Sequence, residues 1–215
     1  MQNIPNVILV GDANVGKTSI FQRLALGKFE DHLDSTIGAS FAKYVNNDLN
    51  INVNLWDTAG QERFNSMVPL YIRRGDLIML IFDITKNVTS QIEKYLNFLE
   101  KIVLPESLID ILIIFNKSDM VESDVIDETK ILCMKILKNY HDKHILSSPT
   151  ILNNIITGIV FDNGKNIIVV SAKTGYGFDD INSAFSNFKN DTNKQKGTRV
   201  FSNVLDDSSD NKCAC

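Results

Sequence analysis

Val7-Ile-Leu-Val-Gly-Asp-Ala-Asn-Val-Gly-Lys-Thr-Ser19 is the stretch on which the fold turns. Its first four residues, apolar and partly β-branched, predict a strand buried on both faces. Gly11 to Thr18 then spell Gly-x-x-x-x-Gly-Lys-Thr, and Ile20-Phe-Gln-Arg-Leu-Ala-Leu26 continues with helical character. Strand, glycine loop and helix in that order are the setting in which a phosphate-binding loop works. Glycines let the backbone bend around a polyphosphate and aim N–H groups at it, at the positive end of a helix dipole. Ala13, Asn14, Val15, Gly16, Lys17, Thr18 and Ser19 are thus expected to form the phosphate cradle. In it Lys17 places a charge on the β- and γ-phosphates, and Thr18 ligates Mg²⁺.

Outward from this stretch, strand-like and helix-like segments alternate to residue 189. That alternation predicts an α/β fold, a mostly parallel sheet with helices on both faces. Ala39–Val45 and Ile51–Trp56 alternate in period two about Asn46-Asn47-Asp48, the signature of an antiparallel edge hairpin. Leu77–Phe82 and Ile111–Phe115 are continuous apolar runs suited to central parallel strands. Helices are predicted over Thr89–Val103, Val125–Leu137 and Phe178–Phe188, and a last strand over Ile167–Val170. Residues 139–166 carry mixed signals. The turn Asp162-Asn163-Gly164 suggests a small hairpin joining Ile159–Phe161 to Ile167–Val169. From Asn190 the chain becomes polar, the composition of a flexible tail.

The 215 residues allow one domain with a substantial core plus an appendage. With 22 basic and 26 acidic residues the formal charge is −4, which gives no basic excess for nucleic acid. No apolar run reaches the roughly 20 residues that span a bilayer, and no signal peptide is read, so a cytoplasmic protein is expected. Three cysteines make no disulfide framework in a reducing compartment. Cys133 reads as a small core residue of a helix, and His141 and His144 as surface residues.

Three further motifs lie beyond strand ends. Asp57, closing Trp56-Asp-Thr-Ala-Gly-Gln-Glu62, is placed to hold the Mg²⁺ that Thr18 ligates. Gly60 lets a backbone N–H approach a γ-phosphate, and Gln61 can orient a water for in-line attack. Asn116-Lys-Ser-Asp119 follows a central strand, where ligands of open α/β sheets bind. The Asp119 carboxylate accepts from guanine N1–H and its 2-amino group, whereas adenine offers an acceptor at N1 and no such amine, so the site selects guanine. Ser171-Ala172-Lys173 lays backbone N–H groups and a lysine stem beside the base.

Taken together, Gly11–Thr18, Thr36, Asp57–Gly60, Asn116–Asp119 and Ser171–Lys173 resemble the small GTPases of the Ras superfamily over residues 5–189. Within it the chain is similar to the Rab branch, through Ile37–Phe41, Asn54–Glu62, Phe82–Thr85 and Asn97–Ile102. Ser35–Phe41 is most similar to endosomal members. The resemblance implies a P-loop NTPase fold with a six-stranded sheet, and a switch cycling between GTP and GDP with Mg²⁺. It implies that Phe29 stacks on guanine and that Thr36 binds Mg²⁺ and the γ-phosphate only in the GTP state. Lys17 and Gln61 are the implied catalytic residues. Residues 60–74 are the implied second switch, and Phe41, Trp56 and Tyr71 the aromatic triad read by effectors. Exchange factor, activating protein and dissociation inhibitor are the other implied partners of a monomeric chain. Cys213 and Cys215, in the terminal Cys-Ala-Cys, resemble a double-geranylgeranyl acceptor that anchors the chain to an endomembrane.

Some features depart from that pattern. Tyr71-Ile-Arg-Arg-Gly75 stands where Tyr-Tyr-Arg-Gly is common, and Ala13 replaces a frequent glycine beside the implied catalytic water. Asp119 and Ser171 are 52 positions apart, a longer separation than usual; a surface insertion at 139–166 accounts for it. A binding module that holds GTP with negligible hydrolysis is the alternative reading, left open by Ala13. A P-loop kinase or ATPase is disfavoured by Asn116–Asp119.

Overall fold

The computed structural model describes residues 4–61, 66–102, 109–144 and 164–188. Six strands form one sheet: β1 Asn6–Val10, β2 Ala39–Asn46, β3 Ile51–Thr58, β4 Leu77–Asp83, β5 Asp110–Asn116 and β6 Ile167–Val169. Their order across the sheet is β2-β3-β1-β4-β5-β6. Only β2 and β3 pair antiparallel, with Phe41 opposite Trp56; β1, β3, β4, β5 and β6 run parallel. This is the predicted α/β architecture with its single antiparallel edge. The parallel strands are buried on both faces, as β4 is at every position, which is why they read as unbroken apolar runs.

Helix α1 (Lys17–Leu26) and helix α5 (178–188) cover one face; α2 (Val68–Ile72), α3 (Val88–Ile102) and α4 (Ser123–His144) cover the other. The sheet therefore separates two apolar clusters. Ile20, Phe21 and Leu24 of α1 meet Ile181 and Phe185 of α5 over Leu9, Met79 and Ile114. On the opposite face Ile92, Leu96 and Leu99 of α3 meet Cys133 and Leu137 of α4 over Ile8, Leu80 and Ile113. Cys133 is fully buried, as read, and burial pushes its thiol up to about 12.

Two expectations need correction. The helix placed at Val125–Leu137 runs from Ser123 to His144, taking 139–144 out of the irregular segment. Tyr140 extends the Cys133, Ile136, Leu137 stripe by another turn and packs on the same cluster. Its phenol is pushed up to about 12 by burial first and then by the Glu100 carboxylate. His141, expected on the surface, is only 8% exposed and lies 3.2 Å from Asp142. A polar aromatic does not register as part of an apolar stripe, so neither residue marks the continuation of the helix in the sequence. The His144 side chain, residues 159–161 of the suggested hairpin and the tail from 190 lie outside the described residues. Ile167–Val169 itself is the parallel edge strand β6.

Candidate functional site

β1 lies where the strand order reverses, between β3 and β4, and a crevice opens there at the carboxyl ends of the strands. A cavity of about 460 Å³ occupies it, lined from the loop after β1, the loop before β2, and the loops after β3, β5 and β6. Ala13, Asn14, Gly16, Lys17, Thr18, Ser19, Phe29, Thr36, Gly60, Gln61, Asn116, Lys117, Asp119, Ala172 and Lys173 all line it. Val15 and Ser171 do not: both are buried behind the wall, the first in the α1/α5 cluster.

At one end three oxygens converge. Thr18 Oγ1 donates to Asp57 Oδ2 at 2.8 Å and Thr36 Oγ1 donates to the same oxygen at 3.0 Å; the two hydroxyls are 2.9 Å apart. Asp57, the last residue but one of β3, has no solvent exposure, and its Oδ1 is buried without a hydrogen-bond partner among the described residues. Burial raises its pKa, while Thr18, Thr36 and Lys17 oppose the rise. A hard divalent cation takes a carboxylate and hydroxyls of this kind, and an orphaned buried carboxylate oxygen is a group such a cation would satisfy. The donor set therefore fits Mg²⁺.

Beside it Lys17, 5% exposed, donates from Nζ to the Asp12 carbonyl at 2.8 Å. Burial lowers its pKa, and Asp57 and Asp12 act against that. The buried ammonium has no carboxylate within ion-pair distance among the described residues, so an anion entering the cavity meets a charge little screened by water. Gly60 closes over this point. A Cβ there would sit 2.6 Å from the Asp12 carbonyl oxygen and would strike the Lys17 ammonium, so glycine is required by close approach.

At the other end Asn116 ties two loops. Its Nδ2 donates to the Val15 carbonyl at 2.9 Å and its Oδ1 accepts from Ala172 N–H at 3.0 Å. Ser171 Oγ donates to Asp119 Oδ1 at 2.6 Å, fixing that carboxylate. Away from the cavity Phe41, Trp56 and Tyr71 form a continuous aromatic row, with centroids 4.8 and 5.9 Å apart. Phe41 is half exposed, and Ile37 and Leu70 also stand out into solvent.

The family model for the Ras of Complex (Roc) domain of DAPkinase matches residues 6–119, just over half of the chain. The chain belongs to the Rab family of small GTPases. It is 38% identical over 132 residues to Ras-related protein Rab-32D of Dictyostelium discoideum, covering 58% of each chain. It is 40% identical over 120 residues to Ras-related protein Rab-7L1 of Rattus norvegicus, covering 53% of this chain and 59% of that one. To GTP-binding protein ypt5 of Schizosaccharomyces pombe it is 32% identical over 121 residues, with 54% and 56% covered. The matches thus span less than three-fifths of these relatives' own length.

Three residues of this Rab family domain carry contacts that the motifs did not announce. Asp83, at the end of β4, accepts from Lys117 Nζ at 2.7 Å and from Thr85 Oγ1 at 2.7 Å. Burial alone would raise the Asp83 pKa, but these donors and the Thr85 N–H hold it below the usual carboxylate range. Asp12 Oδ1 receives Lys94 Nζ at 2.5 Å and Tyr95 Oη at 3.0 Å, both from α3. Arg23 of α1 reaches the carbonyls of Ala172 and Lys173. A carboxylate closing an apolar strand was the signal available for Asp83, as it was for Asp57. For Arg23 there was none, since its partners lie 149 and 150 positions away.

Proposed function

We propose that this chain is a GTP/GDP-regulated switch of intracellular vesicle trafficking that hydrolyses GTP to GDP and phosphate. The observation that carries the reading is the Thr18–Thr36–Asp57 convergence, with all three oxygens within 3.0 Å. Thr36 comes from the loop before β2, so a loop that partners can touch shares a cation set with the phosphate cradle. Retention or loss of the terminal phosphate then decides whether that loop stays ordered.

In this reading residues 1–189 form the nucleotide-binding domain, with an insertion between α4 and β6, and 190–215 a tail. Mg²⁺, held by Thr18, Thr36 and Asp57, neutralises charge on the phosphates when bound. Lys17 supports the β- and γ-phosphates, and the backbone N–H groups of residues 13–19 cradle them. Gly60 lets its own N–H approach the terminal phosphate, and Gln61 orients the attacking water. Asn116, Lys117, Asp119 and Ser171–Lys173 receive the guanine, with Phe29 against its face. Phe41, Trp56 and Tyr71 present the effector surface. Cys213 and Cys215 carry geranylgeranyl groups that anchor the chain to the cytoplasmic side of an endomembrane. An exchange factor, an activating protein supplying an arginine, and a dissociation inhibitor complete the cycle.

Single-turnover cleavage of bound GTP with Mg²⁺, with ATP as competitor, tests this directly. Slow conversion to GDP that ATP does not block is the expected result. Stable GTP over hours would instead favour the binding module that Ala13 leaves open.

A further inference from the structure

Among the described residues Arg23 pairs with no carboxylate. Its half-buried side chain leaves α1 for the loop after β6, where Nε donates to the Ala172 carbonyl and Nη2 to the Lys173 carbonyl, the latter at 2.7 Å. The guanidinium carbon lies 5.7 Å from the Phe178 ring centroid, at the start of α5. Gly175, at φ 88°, keeps the approach open, for a Cβ there would fall 3.1 Å from Arg23 Nη1. One rigid fork thus holds two successive peptide planes.

In a trans peptide the carbonyl and the N–H of the same plane point in opposite directions. Drawing the Ala172 oxygen toward α1 therefore turns the Lys173 N–H away from it. Of the amides in this loop, Ala172 N–H is taken by Asn116 Oδ1 at 3.0 Å and Thr174 N–H by Ser171 Oγ at 3.1 Å. The Lys173 N–H has no hydrogen-bond partner among the described residues, and Lys173 lines the cavity.

We propose that Arg23 is a positioning residue for base recognition, holding the Lys173 N–H ready for the purine 6-oxo acceptor. The proposal rests on the guanine-binding reading above. It also makes α1 a two-ended part: its first turn carries Lys17 and Thr18 toward the phosphates, and its last turn steadies the loop that reads the base.

The test is dissociation of three diphosphates from the full chain in Mg²⁺: GDP, IDP, and the 2-aminopurine riboside analogue, which lacks the 6-oxo group. Arg23→Gln should release GDP and IDP about tenfold faster, the loss of one good hydrogen bond, with release of the 2-aminopurine analogue changed less than twofold. Asp119 is common to both proteins, so its preference for N1–H cancels in the comparison. Arg23→Lys keeps a cation but loses the fork and should show the same selective loss; it carries the test should Arg23→Gln not fold. Equal acceleration of all three diphosphates would mean a structural role only and would overturn the proposal, as would unchanged GDP release or a Lys variant that matches wild type. A wild-type chain holding neither GDP nor IDP would overturn the guanine reading first, before any variant is made.

Discussion

Asp83 shows how much of this site is decided by side chains behind its wall. It is 1% exposed and gives the Lys117 ammonium, half-buried on the cavity side, a fixed carboxylate partner at 2.7 Å. Removing the charge by Asp83→Asn leaves Lys117 without its counter-ion and should cost about 2 kcal/mol in chemical denaturation. The pH dependence follows from its depressed folded pKa. Stability from the pair is complete above the unfolded carboxylate value, near pH 4, and is lost as pH falls through the lower folded value. The gap between wild type and Asp83→Asn should accordingly close as pH drops below about 4; a constant gap would count against the pair. At the same scale Gln61→Leu should nearly abolish single-turnover hydrolysis with GTP binding intact. Asp119→Asn should move preference from guanine to xanthine nucleotides. Residues such as Lys17, Asp57 and Asp119 were legible because their chemistry demands particular types at particular spacings. Arg23 and Asp12 were not, since what they touch is fixed only once distant loops have folded together.

Among the elements, strands were easier to read than helix ends. An unbroken apolar run such as Leu77–Phe82 has few other uses in a chain of this kind, and β4 follows it with one residue added. A helix end depends on what its last turn packs against, and α4 continues past Leu137 because Tyr140 packs partly buried on the core and His141 is buried. The β2–β3 edge was predicted from alternation, but its attachment to α5 was not. Tyr44 Oη donates to Asn182 Oδ1 at 2.6 Å, and the Tyr44 ring meets Phe185 edge-on at 6.2 Å. Tyr44→Phe keeps the ring contact and removes only the hydrogen bond, so it should cost about 1 kcal/mol in thermal or chemical unfolding. On α4, Cys133 should resist thiol reagents at pH 8 in a Cys213→Ser/Cys215→Ser background and react only on unfolding; prompt native labelling would contradict its burial.

For the molecule as a whole, the cavity gathers loops from five strand ends, so its occupant acts on the stability of the entire sheet. A ligand at 1,000 times its dissociation constant stabilises the folded chain by about 4 kcal/mol. GDP with Mg²⁺ should therefore raise the melting temperature, and chelation should withdraw part of that gain by releasing the cation from Thr18, Thr36 and Asp57. A melting temperature indifferent to chelator would argue that these oxygens hold no metal.

Helix α4 has one more consequence. Its 22 residues span about 33 Å at 1.5 Å per residue, and they run back against the direction of the parallel strands before β6 begins. The chain after His144 consequently departs from the pole opposite the phosphates and rejoins the described fold at Gly164, still on that side of β6. Those two described ends, His144 and Gly164, both lie away from the cavity that Lys17 and Asp119 line. A reporter peptide or affinity handle spliced between them should leave the melting-temperature gain from GDP with Mg²⁺ unchanged, and loss of that gain would show that this stretch communicates with the cavity.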